Sequence, residues 1–150
     1  MHRSIWKPIG LATLVCGTLD ILLAVILTLA RGKDPAAMLR YVASGPFPDA
    51  TDWGPGGSLL GLAVHYSLMA IMVTGLILLV LRRPQLLDTP WRTALAYGVL
   101  TYFVMNWAVL PLRFHTPLPP PLLPIATQLF AHVVLVALPA IFIARRYLRG

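Results

Sequence analysis

The sequence predicts an all-α membrane protein: a four-transmembrane-helix bundle with a short amphipathic surface helix in its first, outer loop. Three observations carry that class. Apolar stretches over about 8–30, 58–81, 90–112 and 122–147 are each long enough, at about 1.5 Å of rise per residue, to cross the roughly 30 Å hydrocarbon core of a bilayer. Hydrophobic residues make up 58% of the chain and charged residues 11%, with a mean hydropathy of +0.78, far from the balance of a soluble domain. Each stretch carries only one or two polar interruptions: Asp20, His65, Asn106, and the pair Gln128 and His132.

These spans take most of the 150 residues, so the chain reads as one membrane domain over 1–150. The net charge of +7 and pI near 10.3 would suit nucleic acid, but the basic residues sit in short clusters beside apolar runs, where lipid head groups and topology select them. The single cysteine, Cys16, can form no internal disulfide and is expected to pack as a small apolar side chain. The first stretch exceeds the length of a signal-peptide core, and Thr28-Leu29-Ala30 is a poor cleavage site, so it reads as a retained helix.

The first span, 8–30, has Pro8 in its first turn, where a missing N–H is harmless. Its twelve Leu, Ile and Val residues, at roughly −0.3 to −0.6 kcal/mol each, outweigh the roughly +2.5 to +3.5 kcal/mol of one central Asp. Thr13, Gly17, Asp20 and Ala24 share one face, the side that packs on other helices. In the following loop, Asp34 before Pro35 is an N-cap, Met38, Leu39 and Val42 repeat at helical spacing, and Ser44-Gly45 is a stop. A surface helix over 35–43 follows. Pro46, Pro48, Pro55 and glycines 54, 56 and 57 are then expected to exclude regular structure until a helix starts near Ser58, with Trp53 as an interfacial anchor.

The second span, 58–81, sets Gly57, Gly61 and His65 four apart, so the imidazole shares a face with a pair that permits close helix approach. The third, 90–112, sets Gly98, Tyr102 and Asn106 on one face. Prolines 117, 119, 120 and 121 predict a stiff, polyproline-like turn. The fourth span, 122–147, carries Gln128 and His132 four apart, and Pro139 is expected to kink it. Lys and Arg number eight on one side (Arg3, Lys7, Arg82, Arg83, Arg92, Arg145, Arg146, Arg149) and four on the other (Arg31, Lys33, Arg40, Arg113), which predicts both termini in the cytoplasm.

Asp20, His65, Tyr102, Asn106, Gln128 and His132 form the candidate intramembrane polar site, expected to scatter over roughly 10 Å of depth in the outer half of the membrane. Such groups pair because an unpaired polar side chain in hydrocarbon is expensive. Three roles compete. The first is an accessory or structural membrane protein held by interhelical polar contacts. The second is a small proton-coupled transporter or proton relay using Asp20, His65 and His132. The third is a redox protein with His65 and His132 binding haem b, or joining Asp20 at a metal. No cofactor is predicted on balance, and no catalytic residue: the chain lacks nucleophile-elbow, zinc-protease, Cys-x-x-Cys and phosphate-loop motifs, and it has no glutamate. His2 and His115 read as a solvated tail residue and a solvated loop residue, and Asp49 and Asp52 as solvated loop acids.

Gly17-Thr18-Leu19-Asp20, Ala43-Ser44-Gly45, Gly61-Leu62-Ala63-Val64-His65-Tyr66, Ala96-Tyr97-Gly98-Val99, Tyr102-Phe103-Val104-Met105-Asn106, Val109-Leu110-Pro111-Leu112, and a last helix with His132 ending in Arg145-Arg146 resemble a family of small, uncharacterised bacterial four-helix inner-membrane proteins. The resemblance spans nearly the whole chain. It implies a bacterial inner-membrane location and places Asp20, His65, Asn106 and His132 in the family's motifs, with no activity attached. The lipid bilayer is the expected partner, and the wide apolar surface of so small a bundle favours a homo-oligomer or a larger membrane complex.

Overall fold

The computed structural model describes residues 4–149, and among them all regular structure is helical. His2, Arg3 and Gly150 lie outside the described residues. The helices are α1 (Trp6–Ala30), α2 (Pro35–Ala43), α3 (Gly54–Arg82), α4 (Pro90–Phe114) and α5 (Leu122–Leu148). Four of them, α1, α3, α4 and α5, are long and apolar enough to cross a membrane. Their outward faces carry large aliphatics such as Leu14, Ile26, Ile71 and Leu122, the surface that hydrocarbon rather than water would suit.

The short helix occupies the predicted residues for the predicted reason. Asp34 caps α2, its carboxylate accepting from the backbone N–H of Ala36 (2.9 Å) and Ala37 (3.1 Å), while Pro35 fills the first turn. Its seat was not visible in the spacing. A side chain at Gly61 would collide with the Leu39 carbonyl, and one at Gly57 with the Ala50 carbonyl. The glycine pair therefore admits α2 and the loop beside it against α3, rather than a second spanning helix. Ser58 fastens the contact: its hydroxyl donates to Ala36 O (3.0 Å) and accepts from Arg40 (3.3 Å). At the far side of α2, Arg113 donates to the carbonyls of Ser44 (2.6 Å) and Gly45 (2.5 Å), and Tyr41 stacks on Phe114 at 4.5 Å.

The expected irregular run up to Ser58 is corrected. Pro48–Asp52 form a 3-10 turn, and α3 begins at Gly54, whose φ of +56° glycine adopts without a Cβ clash. Pro55 then sits in the first turn, where its missing N–H is harmless. The linker 115–121 has no helix and includes a cis Leu118–Pro119 bond. His115 is exposed, as expected of a loop residue.

Two prolines inside spanning helices shape their neighbours. Val104–Val109 precedes Pro111 and Ala131–Ala137 precedes Pro139, and both segments are π-helical. A wider turn upstream of a proline relieves the clash between its ring and the carbonyl four residues back. The apolar core fills the half of the bundle away from α2. There Ala12, Cys16, Ala94, Ala137, Ala140 and Ala144 let the helices close around Leu76, Ile77 and Ile141, all essentially buried. Cys16 takes the small packing role expected of it, its thiol donating to Val136 O at 3.2 Å. In the half beneath α2 the packing loosens. Among the described residues one side-chain hydrogen bond joins α3 to α4: the Tyr97 hydroxyl donates to Met72 O at 2.6 Å in the space left by Gly75.

Candidate functional site

The polar side chains meet where that core ends. Asp20 of α1, His65 of α3, Asn106 of α4, and Gln128 and His132 of α5 line one cavity of about 120 Å³ with Met69, Met72 and Met105. All four long helices contribute. Lining one cavity, these side chains meet at a common level of the bundle.

His65 is half-buried and held from both sides. Its Nε2 lies 2.9 Å from Gly17 O; a carbonyl only accepts, so Nε2 carries a hydrogen. The ring's other nitrogen, Nδ1, faces Asp20 Oδ2 at 3.9 Å. Two states satisfy this arrangement: an imidazolium beside a carboxylate, or a neutral imidazole beside a protonated carboxyl. They differ only in where one proton sits. Gly17 makes the geometry available: a Cβ there would meet the Tyr66 ring at 2.6 Å. Its absence lets Tyr66 lie against α1 and share a 2.8 Å hydrogen bond with Thr18.

His132 is buried on α5, inside the π-helical segment. Its Nδ1 lies 3.1 Å from Thr101 Oγ1, and the Thr101 hydroxyl donates to Gly98 O at 3.1 Å. With the hydroxyl proton directed to Gly98, Nδ1 is the donor, and Nε2 is left as a basic nitrogen without a hydrogen-bond partner among the described residues. Asn106 donates to Tyr102 O at 3.1 Å. Gln128 makes no side-chain hydrogen bond among the described residues. Tyr102 stands apart from the other predicted residues: it lies behind the cavity wall, its ring edge toward His132 (centroids 6.2 Å apart) and its hydroxyl accepting from Trp107 at 3.3 Å.

The spacing pointed to five of the cavity's polar residues but not to their supports. Thr101, the Gly17 carbonyl and the three methionines have no signal that separates them from ordinary helix interior. Beside the polar cavity and sharing His65, Leu68, Met105 and Leu110 with it lies a larger crevice of about 610 Å³. It runs between α3 and α4 under α2, with Val64, Ile71 and Val109 along it and Arg113 and Phe114 at its α2 end.

Haem b does not fit between His65 and His132. His65 engages one nitrogen with Gly17 O and turns the other to Asp20, and the space that both rings line, about 120 Å³, is too small for a porphyrin macrocycle. Among the described residues no group of three or more His, Cys, Asp or Glu side chains is placed to hold a metal ion.

Fold and site together define the class: a bundle of four long apolar helices with a carboxyl–imidazole pair and a second imidazole midway along its length. No family model matches the chain, and no curated protein or solved structure matches it.

Proposed function

We propose that this is a multi-pass bacterial inner-membrane protein, both termini cytoplasmic, of the kind the sequence motifs resemble, and that its interior holds a proton-exchanging site reached from the outer half of the membrane. The observation that carries the reading is the placement of Asp20 opposite Nδ1 of an imidazole whose Nε2 is committed to a carbonyl. That pair holds one proton in either of two places, and His132, Asn106 and Gln128 provide the remaining polar lining of the same cavity. The tight apolar packing of the other half of the bundle favours exchange on one side over a continuous path across the bilayer. The chain then acts as an accessory unit of a homo-oligomer or a larger membrane complex that binds and exchanges protons, rather than as a channel.

A pH-difference infrared experiment on the purified protein in lipid nanodiscs tests this. The Asp20 carboxyl band and the His65 imidazole band change together across one titration, and Asp20→Asn removes both changes. If the two groups titrate independently, or Asp20→Asn leaves the imidazole titration as it was, the shared-proton reading is wrong.

A further inference from the structure

We infer that the cavity and the adjoining crevice together form a binding site for a membrane-dissolved quinone or quinol. The inference rests on the reading that the polar cluster is a working site in a membrane, and it names the ligand class of that site. Four observations converge on it. The crevice is mostly apolar, lies between two helices long and apolar enough to cross a membrane, and at about 610 Å³ is in the range of ligand sites. An apolar tail in the bilayer would enter it sideways without crossing water.

The crevice and the polar cavity share His65, Leu68, Met105 and Leu110 as lining, so a tail lying in the crevice brings its head beside the polar residues. Those residues form two sets lining the one cavity: the Asp20–His65 pair on α1 and α3, and Gln128 with His132 on α5. The Gln128 side chain and His132 Nε2 have no hydrogen-bond partner among the described residues. A ring carrying two oxygens meets both sets at once, one oxygen accepting from the shared proton and the other from the Gln128 amide. In the reduced form it donates to His132 Nε2. Met69, Met72 and Met105 line the same cavity, and thioethers make favourable contacts with aromatic rings. A phosphate or carboxylate head is disfavoured there, since it would bring a second acid beside Asp20 at membrane depth.

The test is photolabelling of the full chain in nanodiscs with a decyl-tailed azidobenzoquinone, followed by peptide mapping. Label is expected on the stretches 64–72 and 105–110, displaced by unlabelled decylbenzoquinone but not by decylbenzene or decanoate. Leu68→Trp fills the junction of the two spaces and should weaken labelling at least about tenfold. Ile71→Trp, at an exposed position on the crevice, gives the same loss without disturbing the core. Gln128→Leu, which removes one hydrogen bond, should weaken it about fivefold. Equal displacement by decylbenzene or decanoate, or label spread over the outward leucines of α1, overturns the inference. If labelling fails while Asp20 and His65 still titrate as one unit, the ligand assignment falls and the proton-exchange reading stands. If labelling succeeds while they titrate separately, the reverse holds.

Discussion

Gly98 is the position where a single methyl group tests the architecture most directly. A Cβ there would lie 2.6 Å from Val133 Cα, 2.8 Å from Val133 Cγ2 and 2.9 Å from His132 O. Two of these are backbone atoms, which cannot step aside as a flexible side chain does. Gly98→Ala must push α5 away from α4 by about an ångström to restore a normal carbon contact of roughly 3.5–4.0 Å. Overpacking of this kind destabilises by about 1–3 kcal/mol. Losing the His132–Thr101 hydrogen bond that spans the same gap adds roughly 1 kcal/mol, and the gain in helix propensity returns up to about 1 kcal/mol. The net effect is a loss of about 1–3 kcal/mol. Gly10 supplies the matched control, because nothing lies within 4 Å of its Cβ position; Gly10→Ala should be neutral or stabilising by up to about 1 kcal/mol. Equilibrium unfolding in mixed micelles, followed by circular dichroism, measures both. If Gly98→Ala proves as stable as Gly10→Ala, the close contact of α4 and α5 is wrong, and with it the placement of His132.

Further outcomes follow from other contacts. Asp20→Leu should lower the apparent insertion free energy of α1 by about 3 kcal/mol in a translocon insertion assay; a change below about 1 kcal/mol would show that the carboxyl does not sit near the centre of a span. A double-mutant cycle of Thr101→Val and His132→Ala should give a coupling of about 0.6–1.7 kcal/mol, and zero coupling would mean that the 3.1 Å contact contributes nothing. Arg113→Ala removes two charge-assisted hydrogen bonds to Ser44 and Gly45, each worth about 1.5–3 kcal/mol. Hydrogen exchange should then speed up across Pro35–Ala43 while the α3 and α5 amides keep their protection, and unchanged exchange in α2 would remove Arg113 as its tether.

The spans and the surface helix were legible because each is written in composition and capping chemistry that acts over a few residues. Asp34-Pro35 starts α2 in the structure as it does on paper, and long runs of Leu, Ile and Val make four helices long and apolar enough to cross a membrane. Asp20, His65, Asn106, Gln128 and His132 were legible as a group because each interrupts an apolar span, and helical spacing puts the first three on faces with small residues. The start of α3 was not, since it begins at Gly54 through a positive φ that proline and glycine content alone does not locate. Tyr102 shares its helical face with Asn106, yet the π-helical segment that begins at Val104 alters the turn between them, and only Asn106 lines the cavity. The seat of α2 depends on Gly61 meeting the Leu39 carbonyl and on Arg113 reaching back across 68 and 69 residues. Periodicity carries no information about pairings at such separations.

The widened turns before Pro111 and Pro139 also determine where the chain tolerates a change of length. A residue removed from an ordinary stretch of α-helix rotates everything beyond it by about 100°, which in α5 would swing Ala140 and Ala144 out of the core. Within Val104–Val109 or Ala131–Ala137 the surplus residue is already present. Deleting one there lets the turn contract to ordinary α pitch and keeps both flanking halves in phase. Each segment carries a polar side chain of the cavity, Asn106 or His132, so such a deletion re-aims that side chain while sparing the scaffold.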